Sequence, residues 1–206
     1  MTSPNTTRIE PLAHPLDGAA VVPGDKSISH RAVMFASMAE GTSRLTGVLN
    51  SADVRSTIAA MSALGANIAL ERQIDGSLAG GITGWGAKGP TQPEGPIDCG
   101  NSGTTARLLM GIVAPWNIRV EITGDDSLKK RPMRRIIAPL MKMGVRFEPE
   151  ACETLPVTVI GTPDLKAITY DSPMASAQLK TAVLLAGLGA TGETVINEPA
   201  ISRNHT

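Results

Sequence analysis

The sequence predicts an α/β protein of layered helices and sheets. It reads as three βαβαββ units around a pseudo-threefold axis with buried helices, the third unit truncated. Three observations predict this. First, three segments share one plan, a small polar loop followed by an apolar helical run: "GDKSISHRAVMFASMA" (24–39), "GNSGTTARLLMGIVA" (100–114) and "SPMASAQLKTAVLLAGL" (172–188). Self-similarity at a fixed spacing is the mark of a repeated structural unit, here of roughly 75 residues. Second, an alternating strand-like stretch follows each run: "GTSRLTGVL", "WNIRVEITG" and "GETVINEP". Strands alternating with helices read as layered α/β structure. Third, "ARLLMGIVA" and "LKTAVLLAGL" are apolar on most faces, as buried helices are.

Taken in order, "AAVV" (19–22) reads as a weak strand leading into the first helical run. After "GTSRLTGVL", the polar stretch "NSADVRS" (50–56) reads as a loop, and "TIAAMSALGANI" as a second helix ending at Leu64-Gly65. A glycine after an apolar residue suits a helix C-terminus. The Gly- and Pro-rich segment at 80–96 reads as a surface hairpin and loop. In the second unit the loop "DDSLKKRPM" leads to "RRIIAPLMKMGVRF", which ends at Met143-Gly144, and "LPVTVIG" (155–161) follows as a strand. The third unit reaches "ISRNHT" and Thr206 where a second helix is expected. The sequence-level expectation is therefore a fragment, or one half of a split protein.

Composition narrows the function. The 206 residues carry 19 Lys plus Arg and 19 Asp plus Glu. This balance argues against a general nucleic-acid or membrane-surface protein, which would show a basic excess. Aromatics are only 2%, so stacking platforms for bases are not expected. Cys99 and Cys152 lie far apart, show no metal-ligand spacing and read as reduced thiols; with three scattered His, no metal is expected. The N-terminal stretch has no apolar core of a secretory signal, which makes a cytoplasmic protein the expectation.

Five polar constellations carry the candidate chemistry. Lys26, Ser27 and Arg31 open the first helical run. Free backbone N–H groups, a helix dipole, a lysine and an arginine fork suit an anion. Equally, Ser27 or Ser29 could cap the helix with solvated basic neighbours. In "GNSGTTARL", Gly100 and Gly103 allow close backbone approach, with hydroxyls from Ser102, Thr104 and Thr105; an ordinary capped turn is the alternative. In "DDSLKKRPMRR", five basic residues fall within positions 129–135, and Pro132 fits the first turn of a helix. Cations at a helix N-terminus oppose its dipole unless an anion is present. The expectation is that one arginine functions there and the others are surface. Ser176 and Gln178 are neutral donors at a third helix start, and Arg203 lies near the chain end. If the units pack around one axis, these helix starts converge into a trap for a small, multiply charged anion.

"PGDKSISHRA", "GNSGTTARLLMGI", "KRPM", "SPMASAQLKTAVLLAGL" and "SRNHT" together resemble the 5-enolpyruvylshikimate-3-phosphate synthase (EPSP synthase) family, from about Gly18 to Thr206. The resemblance implies half of a two-domain enolpyruvyl transferase fold. Residues 1–17 would lead to the interdomain crossover, and 18–206 would form the shikimate 3-phosphate-binding domain, incomplete at its end, with the second domain missing. It implies transfer of the enolpyruvyl group of phosphoenolpyruvate to the 5-hydroxyl of shikimate 3-phosphate, releasing phosphate, on the route to chorismate and aromatic amino acids. No cofactor is implied. By motif, Lys26, Ser27, Arg31, Ser176, Ala177, Gln178 and Arg203 would hold shikimate 3-phosphate. Lys26, Asn101, Gly103, Thr104, Arg131 and Gln178 would hold phosphoenolpyruvate, and Lys26 would be the catalytic residue of this half. Gly103 would leave room for the inhibitor glyphosate. The family's general base and further Arg, His and Lys groups lie on the second domain, so the chain alone is expected to bind substrate without catalysing, or to act as a non-catalytic half that pairs with a second chain. Asn204 departs from the family's common "SRDHT", keeping size and losing charge. The related transferase acting on UDP-N-acetylglucosamine typically has Lys-Asn where this chain has Lys26-Ser27, and a reactive loop cysteine that neither Cys99 nor Cys152 matches.

Overall fold

The computed structural model describes Pro11, Pro15 and residues 17–200. The chain enters helix α1 (Lys26–Met38) through Asp25, whose carboxylate accepts a hydrogen bond from the Ile28 N–H at 2.8 Å. An oxygen at this position satisfies one of the donors that a helix start leaves orphaned. The residues before it form no strand. Val21 and Val22 are 88% and 79% exposed, and 19–22 pair with no strand among the described residues. β-branched composition favours an extended backbone, but without a ladder partner it makes no sheet.

Strand β1 (Thr42–Val48) follows, then helix α2 (Ala52–Ala63). Residues 52–56 are helical rather than loop, because the Ser51 hydroxyl accepts from the Val54 N–H and starts the helix five residues earlier than the apolar pattern implied. Gly65 then takes a positive φ of 99° and ends it, as expected. Strands β2 (Asn67–Arg72) and β3 (Leu78–Thr83) complete a three-stranded antiparallel sheet in the order β1-β3-β2. The segment 80–96 is thus not a surface hairpin. Its first residues belong to the central strand, and Ile82 is fully buried. A short 3-10 turn (Gly86–Lys88) leads on.

The second unit repeats this order more completely. Strand β4 (Ile97–Asp98), helix α3 (Gly103–Val113) and strand β5 (Arg119–Thr123) form a parallel crossover. Short helix α4 (Asp126–Lys129), helix α5 (Arg134–Lys142), and strands β6 (Arg146–Glu148) and β7 (Val157–Ile160) follow. The sheet order is β4-β5-β7-β6, so β7 lies between β5 and β6 as β3 lies between β1 and β2. In the third unit, strand β8 (Thr169–Asp171), helix α6 (Ala177–Gly187) and strand β9 (Val195–Asn197) form a second parallel crossover.

The core lies between these layers and is centred on α3. Leu108, Leu109, Met110, Ile112 and Val113 are all fully buried. Helix α6 packs against it through Ala182, Val183 and Ala186, also fully buried. Gly111 permits this approach: a Cβ there would lie 2.1 Å from the Ala182 carbonyl oxygen. No helix among the described residues is long and apolar enough to cross a membrane.

Candidate functional site

Helices α1, α3 and α6 begin alike. Asp25, Ser102 and Ser176 each accept from the N–H three residues on, that of Ile28, Thr105 and Leu179. At the first of these, capping falls to Asp25 and not to Ser27 or Ser29. Ser29 is buried and accepts instead from the Leu49 N–H at 2.9 Å. Ser27 lines a cleft of about 250 Å3 with Arg31, Thr104, Arg135, Ala175, Ser176, Ala177 and Gln178. No Asp or Glu lines it.

Each wall is tied to its neighbour. Arg31 donates to the Ser27 carbonyl at 3.1 Å and to the Thr181 hydroxyl at 2.9 Å, joining α1 to α6. Burial holds its pKa below the usual value, with Asp25 opposing the shift. Gln178 donates to the Thr104 hydroxyl at 3.0 Å and accepts from Arg107 at 2.9 Å, joining α6 to α3. Arg107 also donates to the Pro132 carbonyl at 3.3 Å, and it is only 6% exposed. Its pKa is lowered to about 10, first by burial and then by the guanidiniums of Arg135 and Arg131. Among the described residues, Arg107, Arg131 and Arg135 form no ion pair. Three guanidiniums gathered here, with the Asp125 carboxylate facing only Arg131, make a local positive field.

Gly103 sits inside this group. A Cβ there would lie 2.7 Å from one terminal nitrogen of Arg107 and 3.3 Å from one of Arg131. Arg131 donates to the Asn101 side-chain oxygen and to the Ser127 hydroxyl, while Asn101 donates to Asp125 at 2.8 Å. Lys26 stands apart from the cleft lining. Its ammonium pairs with Asp53 in the first turn of α2 at 3.0 Å. At the start of α6, the Ser176 N–H donates to Glu198, whose other oxygen pairs with Lys180 at 2.6 Å.

The structure therefore brings Ser27, Arg31, Thr104, Ser176, Ala177 and Gln178 to one cleft. Asn101, Gly103 and Arg131 adjoin it through Arg107 and their own contacts. Arg203 and Asn204 lie outside the described residues. A larger cleft, of about 350 Å3 between Arg134, Met141, Cys152 and Glu153, contains none of the predicted residues.

The basic cluster behaves differently from expectation. Lys129 closes α4, where a cation suits the dipole, and Pro132 lies before α5 rather than in its first turn. Arg134 is exposed and paired with Glu153 at 2.9 Å. Arg135 is not surface: it lines the cleft, and its Nε is buried. No local pattern singles it out, because Arg131 precedes α5 and shares no helical face with it. Arg107 stands eighth in "GNSGTTAR" as Arg31 does in "GDKSISHR", but that position does not disclose its place between Gly103 and Gln178. A buried chain also escaped notice: His30 Nδ1 lies 2.6 Å from the Thr57 hydroxyl, Thr57 lies 2.7 Å from Thr105, and Thr105 lies 2.7 Å from Ser102. It links α1, α2 and the start of α3.

Comparison with known proteins gives one consistent result. The family model described as EPSP synthase (3-phosphoshikimate 1-carboxyvinyltransferase) matches residues 12–206. The 3-phosphoshikimate 1-carboxyvinyltransferase of Xanthomonas campestris pv. campestris (strain B100) is 49% identical over 191 residues, 93% of this chain and 43% of the relative. That of Paramagnetospirillum magneticum is 50% identical over 194 residues, 94% of this chain and 43% of the relative. A solved structure of EPSP synthase from Acinetobacter baumannii matches with a TM-score of 0.83 at 44% identity, covering 91% of this chain and 42% of that one. The chain thus spans about 43% of the length of the curated relatives it matches.

Proposed function

The chain belongs to the EPSP synthase family, and from that premise we propose that it supplies the shikimate 3-phosphate-binding part of a 3-phosphoshikimate 1-carboxyvinyltransferase. The observation that carries the reading is the cleft itself. Three helix starts from three repeat units supply hydroxyl, amide and guanidinium donors to a space lined by no carboxylate. Both proposed substrates are anions, and oriented donors with fixed charge are what such ligands need.

In this reading residues 18–206 are the binding domain. Shikimate 3-phosphate takes donors from Ser27, Ser176, Gln178 and Arg31, the backbone N–H of Ala177, and Arg203. Phosphoenolpyruvate lies beside it near Asn101, Gly103, Thr104 and Arg131, with Gln178 touching both. Lys26 reaches both substrates once it exchanges its contact with Asp53. That exchange is cheap, because the Lys26 and Asp53 side chains are 53% and 30% exposed and exposed pairs contribute under about 1 kcal/mol.

The chemistry is an addition followed by an elimination. Protonation of the methylene carbon of phosphoenolpyruvate makes a cationic centre at C2. The 5-hydroxyl oxygen forms a bond there as its proton leaves. The tetrahedral adduct then loses a proton from the methyl group and expels phosphate, which restores the enol double bond. The donors around the cleft hold both anions in contact and bring together groups that would otherwise repel. The remaining length of the relatives supplies the groups that complete the site, either as one polypeptide or as a complementary second chain.

Glyphosate, an anion of similar size to phosphoenolpyruvate, would compete beside Gly103. A cytoplasmic location belongs to the same proposal, and the two buried free thiols, Cys99 and Cys152, fit a reducing compartment.

The test is phosphate release from phosphoenolpyruvate and shikimate 3-phosphate. The purified chain is expected to bind shikimate 3-phosphate without turnover. Adding the remaining part of a family enzyme in trans is expected to start phosphate release. Turnover by the 206-residue chain alone would overturn the need for a second part; failure to bind shikimate 3-phosphate would overturn the site.

A further inference from the structure

We propose that Arg135 is a further anion-binding residue of this cleft, donating its guanidinium to the phosphate of the ligand that seats against Ser176 and Gln178. The identity of that ligand rests on the functional reading above; the role of Arg135 rests on its own surroundings.

Arg134 and Arg135 are consecutive but differently placed. The Arg134 side chain is 74% exposed and pairs with Glu153. Arg135 turns the other way and lines the cleft beside Ser27, Thr104 and Gln178. The rotation of α5 enforces this, because Ile136, Ile137 and Leu140 must stay buried on the face that packs into the core.

Arg135 reaches the cleft with its donors uncommitted. Its Nε is buried without a hydrogen-bond partner, and its side chain makes no hydrogen bond or ion pair with the described residues. Its terminal N–H groups are not buried, so they are free to meet a ligand in the cleft. By contrast Arg31, the other arginine lining the cleft, already spends donors on Ser27 and Thr181.

Two further effects raise the cost of an empty site. Arg135 lies in the first turn of α5, a helix end that disfavours cations, and no acidic residue lies in that turn. It also lies near enough to Arg107 to depress that residue's pKa. An anion between Arg135 and the Ser176–Gln178 wall relieves the last two: it accepts from the terminal guanidinium N–H groups, which unlike Nε are not buried, neutralises the helix end and screens the two guanidiniums. A phosphate suits the place better than a neutral hydroxyl, because its oxygens accept several donors together and carry the opposing charge.

The experiment is calorimetric titration of the full chain with inorganic phosphate, shikimate 3-phosphate and unphosphorylated shikimate. Arg135→Gln, Arg135→Lys and the neighbouring control Arg134→Gln are compared with the parent. Arg135→Gln is expected to weaken shikimate 3-phosphate and phosphate by roughly tenfold or more while leaving shikimate unchanged, with Arg135→Lys between. Arg134→Gln should stay within about twofold, as an exposed pair contributes little. A purely structural role would weaken all three ligands together. If Arg135→Gln does not fold, the fold-preserving Arg135→Lys carries the test through its loss of phosphate relative to shikimate. Equal affinity for both phosphate-bearing ligands in parent and folded Arg135 variants overturns the proposal, as does a parent chain that binds neither. Arg135-dependent binding of inorganic phosphate with no binding of shikimate 3-phosphate would sustain the anion site and defeat the functional reading instead.

Discussion

Arg107 donates to the side-chain oxygen of Gln178 across 2.9 Å, and this bond ties the central helix α3 to α6 at the floor of the cleft. Gln178 uses its other end on Thr104, so its amide is held in one orientation. Truncating it removes a ligand-facing donor and leaves a buried guanidinium short of an acceptor. Gln178→Ala is expected to destabilise the fold by about 1–3 kcal/mol, the cost of an orphaned buried donor. It should also weaken shikimate 3-phosphate by roughly tenfold. Urea unfolding and calorimetry read the two effects separately; unchanged stability would mean that Arg107 finds another acceptor.

Gly103 separates the same arginines from the backbone. A methyl group at this position meets the ends of two flexible side chains, 2.7 Å from Arg107 and 3.3 Å from Arg131, and no backbone atom. The fold can adjust by moving the guanidiniums, so Gly103→Ala should cost less than about 1.5 kcal/mol of stability. Of the two displaced arginines, Arg131 is the one assigned to phosphoenolpyruvate. In the enzyme completed in trans, this variant is expected to raise the KM for phosphoenolpyruvate and to weaken glyphosate inhibition, with the KM for shikimate 3-phosphate nearly unchanged. An equal rise for both substrates would place Gly103 away from the phosphoenolpyruvate side.

His30 predicts the acid limb of stability. It is fully buried, and its pKa is lowered to about 4, chiefly by burial, with Lys26 and Arg31 adding to the shift and Asp53 opposing it. In the unfolded chain it titrates at about 6.5. Between these values the unfolded state binds the extra proton, so stability falls as pH falls. The stabilisation is complete well above pH 6.5, is about 2 kcal/mol smaller at pH 5 and about 3 kcal/mol smaller at pH 4, and its loss levels off below that pH. Urea unfolding of the parent and of His30→Gln across this range checks it. The variant should lose much of the slope between pH 6.5 and 4.

Features set by neighbouring residues were legible in the sequence. Gly65 and Gly144 end α2 and α5 because a left-handed residue closes a helix locally, with φ of 99° and 106°. The recurring polar-loop-to-helix pattern marked the starts of α1, α3 and α6 for the same reason. What depended on distant partners was not legible. Residues 19–22 have strand composition but pair with no strand among the described residues. Ser51 gave α2 a cap outside its apolar pattern. Arg134 and Arg135 differ only through the rotation of α5, which is set by what Ile136 and Leu140 pack against. The bond from Arg107 to Gln178 spans 71 positions, and no local pattern encodes it.

The bond from Arg107 to Gln178 depends on the contact between α3 and α6, and Gly111 is the test of that contact. The two helices approach so closely that a Cβ on Gly111 would lie 2.1 Å from the Ala182 carbonyl oxygen and 3.0 Å from its Cα. These are backbone atoms of the fully buried Ala182, so no rotamer change relieves the overlap. Alanine is ordinarily the better helix former by about 1 kcal/mol, so an isolated helix would gain from the change. Here the overpacking outweighs that gain, and Gly111→Ala is expected to destabilise by a net 1–3 kcal/mol or about that order. The displacement of α6 would also pull Gln178 away from Arg107 and Thr104. The variant should therefore lose shikimate 3-phosphate affinity although residue 111 lies outside the cleft lining. A Gly111→Ala chain with unchanged unfolding midpoint and unchanged binding would show that the spacing of the two helices does not control the site.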